Sequence, residues 1–201
     1  EALKGKPHPG ESRTVSEQLT HLVAPLGEQM AIRRAAALAV DQGVVSSYVH
    51  TAIRPGLGKI GVLVALQSTG DKEKLAALGK QIAMHVAAAS PQCLTIPDVD
   101  PAVLEREQAI YREKAAASGK PAEIVEKMVQ GSTRKFYEEV VLVEQAYIMD
   151  DKTKVGQAVE KAAKDIGAPV KLAGFVRFGL GEGIQKEEKD FAAEVAAVAG
   201  T

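Results

Sequence analysis

Two glycine clusters, four histidines and one cysteine are the residues of this 201-residue chain whose types could support chemistry. GLGKIG, residues 56–61, has the Gly-x-Gly-x-x-Gly spacing in which backbone N–H groups and a helix N-terminus cradle a pyrophosphate. That chemistry needs a strand before the motif and a helix directly after it. The next residues are VLVALQ, a β-type run, so the motif reads as a hairpin turn. GLGEG, residues 179–183, comes after a strand-like run but lacks the Lys-Ser/Thr of a phosphate loop. His8, His21, His50 and His85 are scattered, with no spacing suited to a metal, and Cys93 stands near Pro91 without a neighbouring base. Glu105, Glu107, Glu113, Glu123 and Glu126 alternate with Lys and Arg as a solvated helical face does. No catalytic constellation can be assembled and no cofactor or metal is expected. The residues point to binding without covalent chemistry.

One pair remains for a binding role. In the stretch QIAMHVAAAS, Leu75, Leu78, Ile82, Val86 and Ala89 make one apolar stripe at helical spacing. Met84 falls nearly opposite that stripe and His85 on its margin. Either Met84 fills a gap and His85 is a satisfied boundary histidine, or the two belong to a surface that a partner covers. A flexible thioether suits such a surface, and an imidazole adds a polar handle.

The elements that position this pair are set by pattern and punctuation. Residues 1–13, rich in Gly, Pro and charge, read as a linker. Val15, Leu19, Leu22, Val23 and Leu26 keep helical spacing behind Thr14 as N-cap, with Glu17 completing a capping box and Gly27 ending the helix. Residues 30–40, 44–50 and 60–67 read as strands joined by short turns, hence antiparallel. A helix spans residues 71–90 and is closed by Pro91. Residues 100–140 are long, charged and helical, broken at SGKP, residues 118–121. A thin seam of Val103, Ile110 and Ala117 facing Val125, Met128, Phe136 and Val140 predicts an antiparallel helical hairpin projecting from the body. Residues 139–148 read as a further strand.

An internal repeat runs through this layout. Residues 14–45 align without a gap on residues 154–185, at a constant offset of 140. Val15 meets Val155, Leu26 meets Ile166, Gly27 meets Gly167, Ile32 meets Leu172 and Gly43 meets Gly183. Two related helix–strand units are expected, the first lacking the strand and helix that precede the second.

Composition excludes several classes. A net charge of −1 gives no basic footprint for nucleic acid. No apolar run is long enough to span a bilayer, and a single cysteine rules out an intramolecular disulfide framework. A cytoplasmic protein is the expectation.

Five stretches carry a family resemblance: IRRAAAL (32–38), GKIGVLVA (58–65), IAMHVAA (82–88), SGKPAEIVEKMVQG (118–131) and GFVRFGLGEGIQKEEKDFAAEVAA (174–197). In this order they resemble the bacterial translation elongation factor Ts family, the guanine-nucleotide exchange factors of elongation factor Tu. The resemblance implies an α+β fold of two related subdomains with small antiparallel sheets flanked by helices, an inserted coiled-coil hairpin and a C-terminal helix. The expected organisation is an incomplete first subdomain with its linker at 1–58 and a second subdomain at 59–99 and 139–184. The hairpin is inserted at 100–138 and the C-terminal helix occupies 185–201. The resemblance implies elongation factor Tu as partner, met by Ile60, Gly61, Met84, His85 and Phe191. It also implies an N-terminal helical domain and a Thr-Asp-Phe-Val segment that wedges against the nucleotide site. Neither is found in this sequence, so reduced exchange activity is expected. A scaffold that self-associates through its hairpin, as a homodimer, is the alternative.

Overall fold

The computed structural model describes residues 1–184 of the chain. The expected C-terminal helix, Phe191 included, lies outside the described residues. Two compact units are present, residues 1–37 and residues 38 onward.

The first unit holds one regular helix, α1 (Val15–Leu26). Glu17 N–H donates to the Thr14 hydroxyl at 3.2 Å, while the Glu17 carboxylate accepts from Thr14 N–H at 2.7 Å. Two of the N–H groups that a helix start leaves unpaired are thereby satisfied. Gly27 ends the helix at φ +67°, in the left-handed region. The predicted linker is folded back on itself: Pro7 bridges Thr14, and His8 N–H donates to Arg13 C=O at 2.8 Å. The strand expected over residues 30–40 is not formed; residues 28–40 carry no regular structure. An extended, strand-type sequence becomes a strand only beside a partner that takes its backbone groups.

The second unit is built on a three-stranded antiparallel sheet. Its strands are β1 (Gly43–Arg54), β2 (Leu57–Gln67) and, last in the chain, β5 (Lys171–Gly179), with β2 in the centre. Helix α2 (Lys72–Ala89) packs on one sheet face. Val62, Val64 and Leu66 of β2 meet Leu75, Leu78, Ile82, Ala83 and Val86 of α2 in a buried core. Helix and sheet approach closely at Gly79: a Cβ there would stand 2.8 Å from Cβ of Ser46, whose hydroxyl donates to Ala76 C=O at 3.2 Å.

Helices α3 (Pro101–Ala116) and α4 (Ala122–Val140) form the hairpin, turning at Gly119 with φ +66°. The seam differs from the one expected. Ala115, Val129, Thr133, Phe136 and Val140 are buried, while Ile110 and Met128 are exposed. At its root, Phe136, Val140 and Val141 pack with Cys93, Val99, Val103, Leu104 and Tyr111.

The strand expected over residues 139–148 is mostly absent. Helix α4 runs to Val140, Val141 makes an isolated bridge to Cys93, a 3-10 turn occupies Leu142–Glu144, and the one short strand, β3 (Ala146–Tyr147), pairs with β4 (Asp150–Lys154). Val141 and Leu142 are fully buried, and Leu142 N–H donates to Cys93 C=O at 2.9 Å. An apolar run of that length serves a buried connection as well as a strand. Helix α5 (Val155–Ile166) completes the unit, burying Val155 and Val159.

The repeat survives in three dimensions at its helices. α1 and α5 are both 12 residues long, both begin with the N-cap N–H donating to the side chain three residues on (Thr14 to Glu17, Lys154 to Gln157), and both end at a left-handed glycine, Gly27 and Gly167. It does not survive at the strands, because β5 lies against β2 while residues 31–39 remain irregular.

Candidate partner-docking surface

Neither glycine motif is placed to hold a phosphate. Gly56, at φ +76°, makes the turn between β1 and β2, and no helix comes directly after the motif. Gly179–Gly183 is the turn after β5, where the Glu182 carboxylate accepts from Gly179 N–H at 3.1 Å and pairs with Arg177 at 2.8 Å. An anion bound there would have to displace a carboxylate from those donors. Among the described residues no group of three or more His, Cys, Asp or Glu could hold a metal. Burial and the Asp98 carboxylate push the Cys93 thiol up, away from the reactive thiolate. No helix of the described residues is long and apolar enough to cross a membrane.

Ile60 and Gly61 sit near the start of β2, in register with His50 and Val49 on one side and with Gly179 and Phe178 on the other. Side chains alternate along a strand, so Ile60 shares the inner face with Val62 and Val64 while Gly61 shares the outer face with Leu63. Ile60 packs against the core cluster. Gly61 is exposed, and a Cβ there would meet nothing within 4 Å. Its lack of a side chain therefore leaves the sheet backbone open to approach from outside. The same end of the sheet carries large exposed apolar side chains: Ile53, Leu57 and Leu180 are 77%, 62% and 84% accessible. Isolated surface apolar residues are ordinary, but three so accessible at the turns of one sheet suit contact with another molecule.

Met84 is half-buried on α2. His85 is fully buried, not marginal. Its flank of α2 is covered by the connection after α4, the stretch expected as a strand. Ile148 N–H donates to Nδ1 of His85 at 3.3 Å, so the neutral ring carries its proton on Nε2. Nε2–H in turn donates to Oε1 of Gln145 at 2.9 Å. The Tyr147 ring stands 6.0 Å away, tilted by 47°, and its hydroxyl donates to Oε1 of Gln81 at 3.2 Å. Desolvation depresses the His85 pKa below the ordinary 6.5, outweighing the Gln145 bond. The polar handle inferred for His85 is thus spent inside the protein. Gln145, Tyr147 and Gln81 are invisible to sequence reasoning, since no spacing signal links residues 60 positions apart.

Ile60 lies on the sheet face that α2 packs on and Gly61 on the opposite face, while Met84 and His85 are on α2 itself, with the hairpin root against α2's C-terminal end. Gln92 N–H there donates to Val140 C=O at 2.8 Å. Among the described residues these positions bring no metal-ligand cluster together.

Comparison with known proteins gives this surface a context. The family model described as elongation factor TS matches residues 1–182. The elongation factor Ts of Rhodospirillum centenum is 62% identical over 200 residues, covering 100% of this chain and 65% of that protein. That of Rhodospirillum rubrum is 63% identical over 198 residues, 98% of this chain and 64% of that protein. That of Paramagnetospirillum magneticum is 59% identical over 201 residues, again reaching 64% of the relative. The chain thus spans a little under two thirds of the length of these relatives. With a family match over nearly all of the described residues, this chain belongs to the elongation factor Ts family.

Proposed function

We propose that this chain docks on elongation factor Tu and takes part in guanine-nucleotide exchange during translation elongation. The family membership over residues 1–182 carries this reading. Exchange by such a factor is differential binding. A protein that binds the empty GTPase more tightly than the loaded one weakens nucleotide by the same ratio, because linkage is reciprocal. In exchange of this kind no bond is made or broken.

The docking surface we assign comprises Ile60 and Gly61 at the sheet end and Met84 on α2, with His85 acting from beneath by holding the 145–148 connection in place. Phe191 would contribute from outside the described residues. The division into a first subdomain at 1–58, a second at 59–99 and 139–184, a hairpin at 100–138 and a C-terminal helix at 185–201 is part of the same proposal. So is the cytoplasm as the place where translation would need it. On its own the chain is proposed to bind but to accelerate GDP release less than its longer relatives, since docking that treats both states equally shifts nothing.

The test is capture of purified elongation factor Tu by the chain, with and without GDP, and then stopped-flow release of labelled GDP at saturating chain. Capture weakened by GDP, with release slower than a full-length relative induces, is expected. Self-association without capture would replace this reading with that of a scaffold dimerising through its hairpin.

A further inference from the structure

We propose that Gln145 is the positioning residue of this docking surface: it clamps the root of the helical hairpin to α2 and fixes the tautomer of His85. The inference rests on the docking reading for its consequence in binding, but its geometry is a property of the free chain.

Gln145 is 4% exposed and lies just after the 3-10 turn that ends the hairpin. Its carboxamide reaches three groups on two helices, α2 and α4. Oε1 accepts from His85 Nε2–H at 2.9 Å. The amide nitrogen donates to Glu139 C=O at 2.7 Å and, more weakly, to Ala89 C=O at 3.4 Å. Those two carbonyls belong to the last turns of α4 and α2, where a helix leaves its C=O groups without internal partners. One buried side chain therefore caps two helix ends and binds them to each other. The backbone of Gln145 is tied as well: its N–H donates to Val141 C=O at 3.1 Å, and its C=O accepts from Val155 N–H, the first residue of α5, at 3.0 Å.

The amide orientation is dictated, since Glu139 and Ala89 offer only acceptors and must face the nitrogen. The oxygen is then left for His85, which must donate through Nε2 and accept from Ile148 N–H through Nδ1. Each member is satisfied only if every other keeps its role, and a buried network of that kind selects one arrangement. Three α-helices and the surface beneath Met84 share this node. A partner touching both hairpin and α2 would meet them at an angle set by Gln145.

Long-range ¹⁵N correlation of the histidine rings in the wild-type chain at neutral pH is the first test. His85 is expected as the neutral Nε2–H form, with Nδ1 unprotonated. A Nδ1–H form, or rapid averaging of the two, overturns the proposal with no variant needed. Two substitutions then separate the roles. In Gln145→Met, which removes all three bonds, amide exchange over residues 136–148 is expected to quicken tenfold or more, and His85 to lose its single tautomer. In Gln145→Glu, which keeps the acceptor but loses both donors, the tautomer is expected to persist while exchange still quickens. Wild-type exchange in both variants overturns the clamp. Capture of elongation factor Tu is expected to weaken at least tenfold in Gln145→Met; unchanged capture beside quickened exchange would overturn the positioning role. Failure of the wild-type chain to capture it at all would count against the docking reading and leave the clamp to the spectroscopic arms.

Discussion

Nε2 of His85 and Oε1 of Gln145 are 2.9 Å apart although 60 residues separate them in the chain, and this bond joins α2 to the connection that leaves the hairpin. Both groups are buried, and each would be costly to leave unpaired. The relationship makes stability depend on pH in a defined direction.

Burial holds the His85 pKa below 6.5 in the folded chain. As pH falls through about 6.5 the unfolded chain takes up a proton at this ring before the folded chain does, so stability falls with falling pH. The decline levels off once pH has passed the depressed folded value. Thermal unfolding between pH 7 and pH 5 is expected to show this slope in the wild type and a smaller one in His85→Gln. Equal slopes would mean that the ring titrates alike in both states.

Met84→Ala and His85→Ala separate surface from core. The half-buried Met84 is expected to lose under about 1 kcal/mol of stability. His85→Ala leaves the Gln145 carbonyl and Ile148 N–H unpaired in the interior, for about 2–4 kcal/mol. Chemical denaturation of both variants, beside capture of elongation factor Tu, is the check. Weakened capture by Met84→Ala with near-normal stability is expected; the reverse pattern would place Met84 in the core.

The hairpin can be shortened but not cut at its root. Replacing residues 109–131 with a Gly/Ser turn is expected to leave the body cooperatively folded, since Ala115 and Val129 are the only residues of that stretch among the buried apolar set. A cut extended to residues 103–136 takes, besides the Tyr111 already lost in the shorter one, Phe136, Val103 and Leu104 from around Val141. That loss is expected to cost about 3 kcal/mol or more. Differential scanning calorimetry of the two deletions distinguishes them, and equal transitions would show that the root adds nothing to the body.

Gly27 and Gly167, at equivalent places of the repeat, should respond differently to alanine. Both adopt positive φ, +67° and +77°. A side chain there is strained by about 1 kcal/mol. Helix α5 buries Val155 and Val159 in the main core, whereas α1 buries none of its residues. Gly167→Ala is therefore expected to lower the midpoint of the main unfolding transition, and Gly27→Ala only to reduce helicity in its own unit. A matched drop in the main transition would join the two units in one cooperative fold.

The sequence by itself determined those features that depend on near neighbours. Thr14, Glu17 and Gly27 bound α1 as expected, because capping and left-handed termination are decided within a few residues. The hairpin turn at Gly119 and the antiparallel β1–β2 pair are legible for the same reason. Tertiary structure decided the rest. Residues 30–40 have strand-type sequence but no strand, since backbone pairing requires a partner and the pattern cannot supply one. Residues 141–143 are apolar because they are buried, and burial alone does not choose between strand and connection. Helical projection sees one stripe and so places His85 at its margin. The residue is in the core because a distant connection covers the second flank of α2, and only the packing of α2, α4 and that connection brings Gln145 within 2.9 Å of it. Local physics fixes where elements begin and end; which side chains are hidden, and so which can meet a partner, is fixed by contacts between residues far apart in the chain.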